Sequence, residues 1–121
     1  MDYPAPLAGY DLIAFFDCVH DMADPAAAVR RAHDALATDG RVLLVEPMAG
    51  ERPEENLTPV GRVYSAASVL ICTANALAGG GSGLGTLVPE RQLRELFSAA
   101  GFTSFRRVAE APFNRVFEAR H

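Results

Sequence analysis

Asp17, His20 and Asp21 lie within five residues of one another, directly after the apolar run of residues 11–16. A histidine flanked by carboxylates can take a proton from a substrate or can orient it, because its ordinary titration lies close to neutral pH. Glu46 occupies the matching place after a second apolar run, residues 41–45. In open parallel sheets ligands bind at the carboxyl ends of the strands, so both segments are candidates for one site. The competing assignment has Asp21 and Asp24 capping the next helix, with His20 packed against it. Ser68 and Cys72 stand one helical turn apart and can line a pocket, but no base is visibly paired with Cys72. Residues 81–85, Gly-Ser-Gly-Leu-Gly, match a GxGxG pattern. A phosphate loop needs a strand before it and a helix after it, and here a helix precedes. A connector or a lid hinge fits that cluster better. His33 reads as a surface residue favourably placed near a helix end, and His121 as a frayed terminal residue.

The elements that must position these groups can be read from periodicity. Residues 11–16 and 41–45 are short continuous apolar runs, as strands buried on both faces are. Between them Asp24-Pro25 opens a helix with Ala28, Val29, Ala32 and Leu36 as its apolar stripe, and Asp39-Gly40 is expected to stop it. Strand, helix and strand form a right-handed βαβ unit with parallel strands. The Glu- and Pro-rich segment up to Pro59 reads as an exposed loop, and residues 63–78 as a helix. Pro89-Glu90 opens a further helix, with Leu93, Leu96, Phe97 and Ala100 on one face and Gly101 as its stop. Residues 105–109 and 116–119 close the chain as an antiparallel pair. The layout is α/β, with helices flanking a sheet.

The chain has 121 residues, enough for one domain that buries about two-thirds of its unfolded surface. Its net charge of -4, with no lysine, argues against nucleic acid and anionic membrane partners. Cys18 and Cys72 are too few for a disulfide scaffold and form no CxxC pair, so free thiols in a reducing cytoplasm are expected. Neither a leader segment nor an apolar run of membrane-spanning length is visible.

Residues 10–25, YDLIAFFDCVHDMADP, followed by residues 35–47, ALATDGRVLLVEP, resemble the class I S-adenosylmethionine-dependent methyltransferases. Residues 90–102 match that family's late L-x-x-AGF helix, and the last two strands match its antiparallel sixth and seventh. Residues 56–73, NLTPVGRVYSAASVLICT, resemble a bacterial subgroup with a small-molecule-type domain. The likeness runs from about residue 3 to residue 120. It implies a partial Rossmann-like sheet carrying the family's fourth to seventh strands, with the seventh between the fifth and the sixth. It implies too that the strands bearing the cofactor's glycine-rich loop and ribose-binding acid lie outside these residues. S-adenosyl-L-methionine is then the cofactor. Asp2 and Tyr3 match the loop along its adenine, and Phe16 and Asp17 match positions beside its methionine end. His20 and Asp21 resemble the HD pair near the transferred methyl, and Glu46, Ser68 and Cys72 become candidate contacts for a small-molecule acceptor. The implied mechanism is in-line attack of the acceptor on the methyl sulfonium, helped by positioning and a base. The first strand would stand at a sheet edge, so homo-oligomerisation or pairing with a separate N-terminal half is expected. Two further assignments remain open at this point: a non-catalytic interaction module, and a nucleotide-binding module using residues 81–85.

Overall fold

The first apolar run forms β1 (Tyr10–Phe16), and it pairs in parallel with β2 (Leu36–Pro47), in register from Ile13 opposite Val42 to Phe16 opposite Val45. This is a computed structural model describing residues 8–80 and 84–121. α1 (Pro25–Ala35) makes the crossover. Asp24 caps it, accepting the Ala27 N–H at 2.9 Å, and Pro25 occupies the first turn. The expected end of this helix is corrected. Leu36 is already extended and buried as the first residue of β2, and Asp39-Gly40 lies within that strand. The reason is packing: Leu36 pairs with Tyr10 across the ladder, and the register shifts before Leu12 meets Arg41. At Gly40 a Cβ would stand 2.7 Å from the Tyr10 carbonyl oxygen, so a glycine permits the close approach at that irregularity.

α2 (Pro59–Ala67) starts earlier than the expected residue 63, because Thr58 accepts the Gly61 N–H at 3.0 Å and Pro59 fills the first turn. A π-helical turn, Ser68–Cys72, joins it to α3 (Thr73–Ala78). The loop before α2 holds a short 3-10 turn, Pro53–Asn56. Among the described residues no helix is long and apolar enough to cross a membrane.

α4 (Glu90–Ala99) leads into β3 (Ser104–Glu110) and β4 (Asn114–Arg120), and β4 inserts antiparallel between β2 and β3. The sheet order is β1-β2-β4-β3. This is the order expected of a partial Rossmann-like methyltransferase sheet. Alternation sorts the strands into two faces. Val42 and Leu44 of β2, Phe117 and Ala119 of β4 and Phe105 of β3 face inward, against Val29 and Ala32 of α1 and Leu93 and Phe97 of α4. Phe97 is the hub: its ring centroid lies 5.3 Å from that of Phe102 and 5.1 Å from that of Phe105. Phe105 in turn stacks on Phe117 at 5.0 Å. The outer face is open at β1, where Leu12 and Phe16 are 55% and 65% exposed.

Phe97→Ala removes the centre of the aromatic cluster and should cost about 3–5 kcal/mol of stability in urea titrations. Phe113→Ala, at the exposed tip between β3 and β4, should stay within about 0.5 kcal/mol of the parent.

Candidate functional site at the carboxyl end of the sheet

The parallel pairing of β1 and β2 carries the turn after β1 over the end of β2. This 3-10 turn, Val19–Asp21, buries His20, while Glu46 stands inward near the end of β2 with no solvent contact. His20 Nδ1 and Glu46 Oε2 are 2.7 Å apart, a charge-assisted hydrogen bond between two buried side chains. Burial alone would lower the His20 pKa. The bond and the charge of Glu46 outweigh it, a side-chain hydrogen bond with Cys72 adds to them, and the imidazole is raised from 6.5 to about 9. At neutral pH the imidazole is therefore held in its protonated form. Glu46 keeps a second buried oxygen, Oε1, that no group among the described residues satisfies.

His20, Glu46 and Cys72, three of the residues expected to matter, are thus brought together. The expectation that Cys72 has no base beside it is corrected. The missing signal was the π-helical turn, which alters how a helix aims its side chains and leaves no mark in apolar spacing. Ser68, one turn earlier, is already engaged: its Oγ accepts the Thr86 N–H at 2.9 Å and ties the segment before α4 to this helix. Asp21 sits in the same turn as His20, but the cap of α1 is Asp24. Asp17 adopts a left-handed φ of 47°, which aspartate tolerates better than most residues. Its N–H donates to the Val45 carbonyl at 2.9 Å, and its carboxylate accepts from Asn114 Nδ2 at 2.7 Å. Phe16 presents its ring on the open outer face beside it. Asp2, Tyr3 and residues 81–83 of the glycine cluster lie outside the described residues.

Arg115 is a site residue that sequence reasoning passed over. It lies opposite Glu46 in the β2–β4 ladder and is fully buried. Its Nε donates to the Pro47 carbonyl at 3.0 Å and its Nη2 to the Val88 carbonyl at 2.8 Å, leaving Nη1 without a partner among the described residues. Burial, then the charge of Arg107, push its pKa down, against the pull of Glu46, Glu90 and Glu51. The available signal was period two: Arg115, Phe117 and Ala119 alternate onto the inward face, so the arginine had to be inside. Tyr64 closes the rim, donating its hydroxyl to the Phe113 carbonyl at 3.0 Å. Among the described residues no three metal-ligating side chains converge. The arrangement is suited to holding a proton between buried groups of opposite charge.

Comparison with known proteins agrees with this picture. Residues 2–105 match the family described as methyltransferase domain. No curated protein sequence matches the chain. Among solved structures, PigF with SAH aligns with a TM-score of 0.66 at 22% identity, covering 97% of this chain and 32% of that one. Human N-acetylserotonin methyltransferase in complex with SAM aligns with a TM-score of 0.67 at 22% identity, covering 98% and 31%. The chain thus spans about a third of the length of these structures. At such identities the likeness shows the shared fold, and the family match shows the kinship: the chain belongs to the methyltransferase domain family.

Proposed function

We propose that this chain forms the acceptor-side part of an S-adenosyl-L-methionine-dependent methyltransferase acting on a small molecule. The observation that carries the proposal is the buried His20–Glu46 pair, with Cys72 against it, at the carboxyl end of the parallel strands. The solved relatives, PigF with SAH and N-acetylserotonin methyltransferase in complex with SAM, support the choice of cofactor.

The residues present fit the methyl-bearing end of that cofactor. Phe16 offers an exposed apolar ring and Asp17 a carboxylate held in place by Asn114, side by side where β1 ends. Asp2 and Tyr3 would lie along the adenine. The cofactor, when bound, supplies an electrophilic methyl group on a sulfonium. The chain's own part is to hold the acceptor and manage its proton. Glu46 orients His20 through Nδ1 and keeps it charged. His20 must therefore shed its proton before it can accept one, while its positive charge favours an acceptor atom that carries negative charge. Cys72 and Glu46 border the acceptor side, and Asp21 stands beside His20 in the 3-10 turn. Ser68 contributes by holding the Thr86 backbone.

The open edge of β1 also belongs to this reading. Leu12 and Phe16 are apolar and exposed on a strand that, among the described residues, pairs only with β2. Such an edge adds a further strand readily, from a second copy or from a polypeptide bearing the cofactor's glycine-rich loop.

Isotope-labelled methyl transfer to a panel of small hydroxyl, amine and carboxylate acceptors tests the activity, with the chain alone and with a cofactor-loop polypeptide from the family added. His20→Gln should lower kcat about 10²- to 10⁴-fold. No transfer by the parent under either condition would overturn the proposal. NMR titration should show the His20 ring near pH 9, and Glu46→Gln should move that midpoint down. The stability that this pair provides is complete below pH 6.5 and is lost as pH rises through about 9, because the folded-state value is the raised one. Urea midpoints of parent and Glu46→Gln should therefore converge above pH 9. Sedimentation should show association, weakened by Leu12→Lys; a monodisperse parent monomer would count against the exposed edge as a docking strand.

A further inference from the structure

The C-terminal residue is not frayed. His121 Nδ1 lies 3.1 Å from His33 Nε2, and the two rings meet edge to face with centroids 4.4 Å apart. The chain places these imidazoles together at the end of the sheet away from His20, through α1 on one side and the last residue after β4 on the other. His33 is fixed from three directions. Phe102 packs edge-on against it at 5.0 Å, and its Nδ1 faces Asp34 Oδ1 at 3.4 Å. Behind it stands Gly101, at a φ of 110°, where any Cβ would come within 2.9 Å of Nε2. The glycine thus keeps that nitrogen accessible. His33, Asp34, Leu36, Thr38 and His121 line a solvent-open cleft.

The geometry points to a two-histidine site for a borderline divalent transition metal such as Zn²⁺, Ni²⁺ or Cu²⁺. Two imidazole nitrogens each about 2.0–2.1 Å from one ion, at angles between octahedral and tetrahedral, stand roughly 2.9–3.4 Å apart. The observed 3.1 Å contact is a hydrogen bond between the two rings, and its nitrogen separation lies inside that interval, so an ion can take the place of the shared proton. Asp34 adds the second requirement of such sites: a carboxylate on the far ring nitrogen holds the tautomer that leaves Nε2 as the ligand. Loss of that proton and a turn of the exposed His121 ring would direct its Nδ1 lone pair to the same point. No third ligating side chain joins them among the described residues, so solvent would complete the coordination. Imidazole rather than carboxylate ligation excludes Mg²⁺ and Ca²⁺. This site is independent of the methyl-transfer cleft.

Isothermal titration of the chain with Ni²⁺ and with Zn²⁺, in a non-coordinating buffer, tests it. One ion per chain is expected, with imidazole carbon resonances of His33 and His121 shifting together. His121→Ala changes an exposed side chain and should weaken binding at least about tenfold, since a single imidazole holds these ions poorly. Asp34→Asn should weaken it by about tenfold. Absence of parent binding up to millimolar metal would overturn the site. So would unchanged affinity in His121→Ala, because the thiols and His20 would then be the ligands.

Discussion

A carboxylate cut off from water must have positive charge beside it, and Glu46 imposes that demand on everything around it. One oxygen takes His20 at 2.7 Å, and Arg115 comes from the facing strand. Neither cation is local in sequence to Glu46. His20 reaches it because the β1–β2 pairing is parallel and the turn after β1 folds over the strand end. Arg115 stands opposite it in the ladder because β4 runs antiparallel beside β2 and starts at that same end, and its guanidinium is held by the Pro47 and Val88 carbonyls. The sheet topology and the charge cluster therefore require each other. Any slip of register by one residue would turn Glu46 to the outer face and leave the buried His20 without its carboxylate.

The same inward-facing rows build both core and site. Along β2 the row runs Val42, Leu44, Glu46, and along β4 it runs Ala119, Phe117, Arg115. The first two steps are apolar and lie under α1 and α4; the third is ionic. No boundary separates packing from chemistry. Phe117 stacks on Phe105 on one side, and the Arg115 guanidinium lies over its ring at 5.5 Å. The outer face has a different logic. Arg41, Arg106 and Arg120 surround Glu118, whose carboxyl is held at about 2 by its hydrogen bonds to Arg120 and then Arg106. That cluster ties three strands together near solvent, where such pairs add little each.

Local features were legible in the sequence. The two parallel strands, the Asp24 cap, the α4 stripe of Leu93 and Phe97, and the closing antiparallel pair are all set by spacing within a few residues, but β1, expected to be buried on both faces, is exposed along much of its length because only β2 pairs with it among the described residues. The placing of His20 and Glu46 at strand ends was local too. The rest depended on contacts between distant segments. Leu36 satisfies a helical stripe as well as a strand, and only its pairing with Tyr10 decides. Cys72 meets His20 through a π-helical turn that has no periodic signature. Arg115 was readable in principle from the alternation of β4, but a charged residue in a short strand is assigned outward by default. His33 and His121 look inert separately, and the β4 path alone unites them.

In the proposed methyl transfer, the strength of the His20–Glu46 pair also sets what these residues can do for an acceptor. With its pKa near 9, His20 is neutral in only about one molecule in a hundred at pH 7. An acceptor that ionises unaided needs none of that minority and gains from the imidazolium charge beside it. An acceptor that keeps its proton must draw on the minority form, and its rate falls by the same factor. Glu46 thus trades basicity for electrostatic attraction. A weaker carboxylate contact would make His20 a better base and a poorer partner for an anion. The 2.7 Å bond between two buried groups puts the proposed site on the anion-favouring side of that exchange.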